Sequence, residues 1–306
     1  SDTSEGVVGP DRLTFTSADW NVPQTVTLFG ANDVVDDGDI PYSIVTAPAT
    51  SGDPAYSGMN ASDVSATNID SDVAGFFVNP ISGLTTTEAG GTAHFTVVLN
   101  SQPSADVTIA LSSSNSSEGT VSPASLTFTS DNWNIPRTVD VTGVNDPLDD
   151  GDIGYTIVTA AAVSADPGYN GLNPLDVTVL NVDNDTAGIT VSPTFGLTTT
   201  ESGGTATFTI VLNSQPTADV TIGLSSNDTS EGTVGPASVT FTAANWNTPR
   251  TVTVTGVNDL FDDGDVIYSI VTAAATSSDI AYNGLATLDV SASNTDDDTA
   301  GNMLAP

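Results

Sequence analysis

The chain has 306 residues, with 38 acidic side chains against three basic ones (Arg12, Arg137 and Arg250), no lysine or cysteine and one histidine, for a net charge of −35. Such a field repels phosphate and argues against nucleic acid as a partner. The missing cysteines exclude disulfides, cysteine-ligated zinc and thiol catalysis, and no apolar run reaches the roughly 18 residues a membrane-spanning helix needs. Yet 38% of residues are hydrophobic and fall in short alternating runs, so the chain is predicted to fold and to seek cations.

Self-comparison organises the chain. Trp20, Trp133 and Trp246 recur every 113 residues. Glu5, Glu118 and Glu231 keep the same step, each opening a Glu-Gly-x-Val run. So do the Asp-Asp-Gly-Asp runs at Asp36, Asp149 and Asp262, then Tyr56, Tyr169 and Tyr282, then Asp70, Asp183 and Asp296. Residues 1–74 match 114–187 and form an incomplete copy that lacks the opening strands. Two complete copies follow at 75–187 and 188–300, and residues 301–306 fit the start of a further one. The chain is expected to be a window from a longer array. No Gly/Ser- or Pro-rich linker separates the copies, so the junctions are predicted to be tight.

Each complete copy alternates as an all-β module. In the middle copy the runs are Phe95-Val97-Leu99, Val107-Ile109-Leu111, Leu126-Phe128, Val139-Val141, Tyr155-Ile157 and Val177-Val179. Turn-rich clusters separate them, and no 3.6-residue pattern persists. About seven short strands per copy predict tandem immunoglobulin-like β-sandwiches, stacked head to tail. Strands of about eight residues span roughly 27 Å, so each copy is expected to extend a rod by about 40 Å. In residues 1–74, Leu13, Phe15, Val26, Leu28, Ile44 and Val45 are expected to face an open half-core.

The acids recur as faithfully as the core. In the middle copy they are Glu88, Asp106, Glu118, Asp146, Asp149, Asp150, Asp152, Asp166, Asp176, Asp183 and Asp185. Asp131 and Asp140 face Ala244 and Thr253 in the next copy and are set aside. If the first strand runs parallel to the last, Glu88, the Asp146–Asp152 turn and Asp183-Asn184-Asp185 meet at one pole. Each close like-charge pair there costs about a kcal/mol or more, and a hard cation relieves it. Calcium accepts six to eight oxygens in flexible geometry, whereas magnesium prefers a tighter octahedron with retained water. Asp106, Asp176 and Asp219 read better as solvated strand residues. The closing acidic run is not an EF-hand, since Ala187 and Thr194 stand where that loop needs ligands.

A glutamate in the first strand, a double-Asp turn and a closing Asp-Asn-Asp or Asp-Asp-Asp together resemble the Calx-beta domain and its extracellular bacterial relatives. The Glu-Gly-Thr-Val, Trp-Asn-x-Pro and Asp-x-x-Tyr-x-Gly runs are similar to tandem repeats of large bacterial surface and adhesin-type proteins. The resemblance implies an immunoglobulin-like sandwich binding Ca2+ at one end. It implies as ligands Glu88, Asp146, Asp149, Asp150, Asp152, Asp183 and Asp185 in the middle copy. Their equivalents are Glu201, Asp259, Asp262, Asp263, Asp265, Asp296 and Asp298 in the third, and Asp33, Asp36, Asp37, Asp39, Asp70 and Asp72 in the first. Gly151 and Asp152 stand where the family often carries glutamates, which favours a structural site over a regulatory sensor.

Other residues invite weaker readings. Trp133 is a packing anchor or a sugar-stacking platform; Asp166 is a second-ion ligand or a turn cap. His94 is replaced by Thr207 in the next copy, so no Ser-His-Asp triad is expected and the chain is not predicted to be an enzyme. Sequons occur at Asn60, Asn115, Asn184 and Asn227, and glycosylation of an exposed fibre fits them. The expected function is a structural segment of an extracellular bacterial fibre or adhesin stalk, rigidified by calcium at the repeat junctions. Its partners are neighbouring repeats, and identical chains if a filament forms by strand donation. The alternative is an adhesion module that binds a surface or glycan directly.

Overall fold

The computed structural model describes residues 1–299; the expected start of a further copy at 301–306 lies outside the described residues. Among these, every regular element is a strand, and no helix is long and apolar enough to cross a membrane. The chain forms two compact units. The first comprises Ser1–Thr86, Gly91–Thr142 and Gly154–Leu180; the second comprises Thr87–Gly90, Gly143–Ile153 and the chain from Asn181 onward. This division cuts across the sequence period: the acidic end of the middle copy goes with the copy that follows it.

In the first unit, β1 (Gly6–Gly9) pairs antiparallel with β2 (Thr27–Gly30), and β3 (Ile40–Ile44) with β4 (Val64–Asn68). The middle copy continues with β5 (Phe76–Asn79), β6 (Leu84–Thr87), β7 (Thr92–Leu99), β8 (Val107–Ser113) and β9 (Gly119–Ser122). Then come β10 (Ser125–Phe128), β11 (Arg137–Gly143), β12 (Ile153–Thr159), β13 (Val163–Ser164) and β14 (Val177–Val182). They make two sheets, ordered β5-β7-β11-β9 and β10-β8-β12-β14-β6, with β13 on the edge of β8. The alternating residues of both sheets meet in one core: Phe95 and Val97 of β7 and Val139 of β11 pack with Ile109 of β8, Ile157 of β12 and Val177 of β14.

In the second unit the third copy repeats this plan. Its strands are β15 (Ile189–Ser192), β16 (Leu197–Thr200), β17 (Thr205–Leu212), β18 (Val220–Ser226), β19 (Gly232–Gly235), β20 (Ser238–Phe241), β21 (Arg250–Gly256), β22 (Val266–Thr272) and β23 (Val290–Thr295). The sheets run β15-β17-β21-β19 and β16-β23-β22-β18-β20. Among the described residues this copy has nine strands against the predicted seven, and one of the two extra strands arises because the first strand is divided between the sheets. β15 pairs antiparallel with β17, and β16 pairs parallel with β23. Between them Pro193 has no N–H to give a ladder, and Gly196 takes a φ of 80° to turn the chain across. The tandem immunoglobulin-like sandwich arrangement is thus set by the sheets' own order and register.

The incomplete copy forms two sheets of only two strands each, β1-β2 and β3-β4, and much of its apolar face stays open. Phe15 and Tyr56 are 52% and 57% exposed, whereas their counterparts Phe128 and Tyr169 are 0% and 1% exposed. Val26, Leu28 and Val45 are exposed as well, while Leu13 and Ile44 are half-buried.

One glycine governs how closely the sheets pack near the acidic pole. A Cβ on Gly232 would lie 2.3 Å from the Tyr268 hydroxyl, which itself meets Thr199 Oγ1 at 3.0 Å. Gly232→Ala is therefore expected to destabilise the chain by about 1–3 kcal/mol. Gly154→Ala, with open space around its Cβ, should be near neutral. Denaturant melts of the two variants check the pair.

Candidate metal centre

The parallel pairing of β16 with β23 fixes the site. It continues one residue past the end of β16, where the Glu201 amide donates to Thr295 O at 3.1 Å. The side chain of Glu201 therefore lies beside the chain that leaves β23, and that chain carries Asp296, Asp297 and Asp298. The Asp297 amide donates to Glu201 Oε2 at 3.2 Å, and the Asp298 amide to Asp296 Oδ1 at 2.7 Å. The middle copy has the same arrangement: Glu88 N to Val182 O at 3.1 Å, Asn184 N to Glu88 Oε2 at 3.2 Å and Asp185 N to Asp183 Oδ1 at 2.7 Å. Glu88, Asp183 and Asp185 each offer an oxygen within 4.8 Å of the others, and so do Glu201, Asp296 and Asp298.

The Asp-Asp-Gly-Asp turn closes over these residues. Gly151 has a φ of 75°, which a side chain would resist, and its amide donates to Asp183 Oδ2 at 2.8 Å. Gly264 does the same to Asp296, and Gly38 to Asp70. The last aspartate of each turn anchors the backbone: Asp152, Asp265 and Asp39 each accept the amide of Asp183, Asp296 and Asp70 respectively. The first aspartate reaches the start of the next copy. Asp149 Oδ2 accepts the Ala187 amide and Asp36 Oδ2 the Ala74 amide, both at 2.7 Å. Asp262 lies beside Asp296 and Asp298. Asp70 and Asp72 lie together, with the Asp72 amide on Asp70 Oδ1.

A second set contains glutamates that the sequence had shown as recurrent without assigning them a ligand role. Glu5, Asp33 and Asp37 bring oxygens within 4.8 Å of one another, as do Glu231, Asp259 and Asp263. Asp146 and Asp150 hold the matching positions of the middle copy. Glu5 and Glu231 are only 7% and 5% exposed. Asn68 Nδ2 donates to Glu5 Oε2 at 3.2 Å, and Asn294 Nδ2 to Glu231 Oε2 at 3.4 Å. An asparagine from the last strand thus holds each of these glutamates in place. The sequence signal was the Glu-Gly-x-Val period itself.

The electrostatics is dominated by like charge, only partly offset by backbone amides. Glu88 is 3% exposed, and burial pushes its carboxyl up to about 7, with Asp183 and Asp146 adding to the rise. Burial, then Asp183, Asp146 and Asp149, also raise Asp185. Glu201 is drawn down by the Asp297 amide, but burial and Asp296, Asp259 and Asp298 outweigh it. Asp298 is raised by burial and by its acidic neighbours, and its Oδ2 is buried without a hydrogen-bond partner. An all-oxygen donor set with an orphaned carboxylate oxygen suits a hard divalent cation.

The remaining conspicuous residues do structural work. Asp166 accepts the Ser104 and Gly168 amides at 2.7 and 2.8 Å, and Asp279 accepts those of Thr217 and Ala281; both cap turns. Trp133 and Trp246 pack against the two cores. Arg250 lies over the Phe241 ring, 6.0 Å from its centroid. His94 is exposed and pairs across the strands with Asp140.

No protein-family model matches the chain, and no curated protein matches it. Among solved structures it is similar to the calcium binding domain CBD12 of CALX1.1, at 16% identity over 69% of this chain and 82% of that one, with a TM-score of 0.32. The apo form of the Calx CBD1 domain is 16% identical over 37% of this chain and 100% of that one, with a TM-score of 0.30. Domains 4 and 5 of the S-layer protein SbsC are 16% identical over 61% and 75%, with a TM-score of 0.28. These likenesses are distant.

Raised carboxyls make the metal-free protein sensitive to pH in a defined direction. Glu88 favours the protonated form when folded, so its burden is absent below its ordinary 4.5 and complete above about 7. Asp185, Glu201 and Asp298 act in the same direction. Asp70 and Asp296, lowered by backbone amides, contribute stability above their ordinary 3.8 that acid removes. In chelator, the melting temperature is expected to rise as pH falls from about 8 to about 5, then to drop below about 4. Circular-dichroism melts check this, and a steady decline from pH 8 downward would contradict it.

Proposed function

We propose that the chain is a structural tandem-repeat segment of an extracellular bacterial fibre or adhesin stalk, stiffened by calcium at the acidic end of each copy. The observation that carries this reading is the crowding of Glu201, Asp296 and Asp298 around a buried, unpartnered Asp298 Oδ2. The carboxylate trio itself recurs at Glu88, Asp183 and Asp185. Calcium suits these groups because it takes six to eight oxygens at about 2.3–2.6 Å without demanding a rigid octahedron. Millimolar extracellular calcium makes weak sites sufficient.

The site's place in the chain supports a mechanical role. The acidic end of the middle copy belongs to the same compact unit as the third copy, and Asp149 already holds the Ala187 amide that opens it. An ion neutralising Glu88, Asp183 and Asp185 would remove the repulsion that loosens this segment. In this reading the chain catalyses no reaction. The second reading, direct adhesion through a sugar-stacking tryptophan, fits less well, because Trp133 and Trp246 are engaged with the cores.

Millimolar calcium is expected to stabilise the full chain against chelator, by about 2.7 kcal/mol where the ion stands at 100 times its dissociation constant. Glu201→Gln should shrink the calcium-induced rise in melting temperature. Asp140→Asn, an exposed strand acid outside both sets, should leave it unchanged. Equal melting points in calcium and chelator would remove the stiffening mechanism.

A further inference from the structure

The loop that carries the acids also carries an apolar tip, and within each unit that tip docks on a neighbouring copy. In the first unit the Gln102 amide donates to Val34 O at 2.7 Å. In the second, the Gln215 amide donates to Pro147 O at 2.7 Å, and Leu148 bridges Gln215 in parallel. Leu148 is half-buried there.

The receiving segment is built in advance. Tyr169 OH accepts the Ser101 amide at 3.0 Å and donates to Ser101 O at 2.7 Å, while Asp166 holds the Ser104 amide. Tyr282 and Asp279 hold Ser214 and Thr217 in the same way. The glutamine side chains fold back onto their own copies, Gln102 Nε2 on Ser130 O and Gln215 Nε2 on Ala243 O. The backbone amide of each glutamine is left to face the preceding copy. This gives the Asp-x-x-Tyr-x-Gly period a purpose: it clamps the Asn-Ser-Gln-Pro segment into a receptor.

The tip is equally preformed. Asp33 Oδ1 accepts the Val35 amide, Asp146 Oδ1 the Leu148 amide and Asp259 Oδ1 the Phe261 amide, at 2.8, 2.9 and 2.8 Å. In the third copy the residues matching Pro147 and Leu148 are Leu260 and Phe261, and they are 86% and 72% exposed. Two large apolar side chains held in the open by an intact turn form a surface that solvent alone does not explain.

We propose that Leu260 and Phe261 form a docking tip for one further copy of this repeat. Leu260 O accepts the glutamine amide of that copy's Asn-Ser-Gln-Pro segment, and Phe261 packs beside it. Both such segments in this chain are already taken, Gln102 by Val34 and Gln215 by Pro147, so the occupant is a repeat whose segment is free. The contact uses backbone and apolar groups, so it rests on the repeat reading and needs no metal.

The absence of cysteine makes single-thiol labelling a clean test. Phe261→Cys and, as a docked reference, Leu148→Cys are placed separately in the full chain. Both are placed again in the full chain extended after residue 300 by another copy of residues 188–300. Labelling with a neutral maleimide is followed in chelator and in calcium. Phe261→Cys is expected to react as an exposed thiol in the present chain and about tenfold more slowly in the extended one, in chelator as in calcium. Leu148→Cys should be slow in all cases, which reports that the existing junction is folded. Equal Phe261→Cys rates in the two chains, or protection that appears only in calcium, would overturn the docking tip. A missing calcium effect on melting would instead remove the stiffening mechanism and leave the tip standing.

Discussion

The structure turns on one strand pairing that fixes where charge collects. β16 lies parallel to β23, so the residue after the first strand of the sandwich and those after its last arrive at the same place. In an antiparallel meander these ends would lie at opposite poles. Here Glu201 meets Asp296 and Asp298 because the first strand crosses between sheets at Pro193 and Gly196. The backbone holds the carboxylates in contact: the amides of Asp297, Asp298 and Gly264 each bond to one of them. These bonds offset part of the repulsion and leave Asp298 Oδ2 without a partner. The energetic problem is therefore posed by the fold and is only partly solved by it.

The period and the alternation carried most of this in the sequence. Phe95, Val97, Ile109 and Val139 stand on inner faces because a strand places every second residue on one face. The acidic pole was legible because the acids recur at fixed steps. What the sequence could not separate was how each acid is used. Asp152 and Asp183 look alike in a one-dimensional run, yet Asp152 holds the Asp183 amide while Asp183 lies in the carboxylate set. Glu5 and Glu231 were visible as a period but lie far along the chain from the double-Asp turn. Only the antiparallel pairing of β1 with β2 and of β19 with β21 brings them to the double-Asp turn. The divided first strand was hidden for a similar reason, since alternation is silent about which sheet a residue joins.

Burial gives the two sets a shared character. In each, one glutamate is nearly enclosed while its aspartates stay more accessible: Glu201 and Glu231 are 3% and 5% exposed. A buried carboxylate without a counter-charge favours its protonated form. With three arginines and no lysine in the chain, there is little internal positive charge to supply. These carboxylates could therefore take their balancing charge from solution, as protons or as a hard cation held by the clustered oxygens.

The acidic turn faces two ways. Its aspartates arrange the carboxylate sets, and its apolar residues meet the glutamine amide of the following copy. Asp146 joins the two tasks, because its Oδ1 holds the Leu148 amide while its charge raises Glu88 and Asp185. Asp149 adds a second tie through the Ala187 amide. The carboxylate set and the contact with the following copy consequently share one loop of seven residues, Asp146 to Asp152. That shared loop gives a physical reason for acids and apolar tip to keep one fixed spacing: displacing either would disturb both the charged pole and the junction.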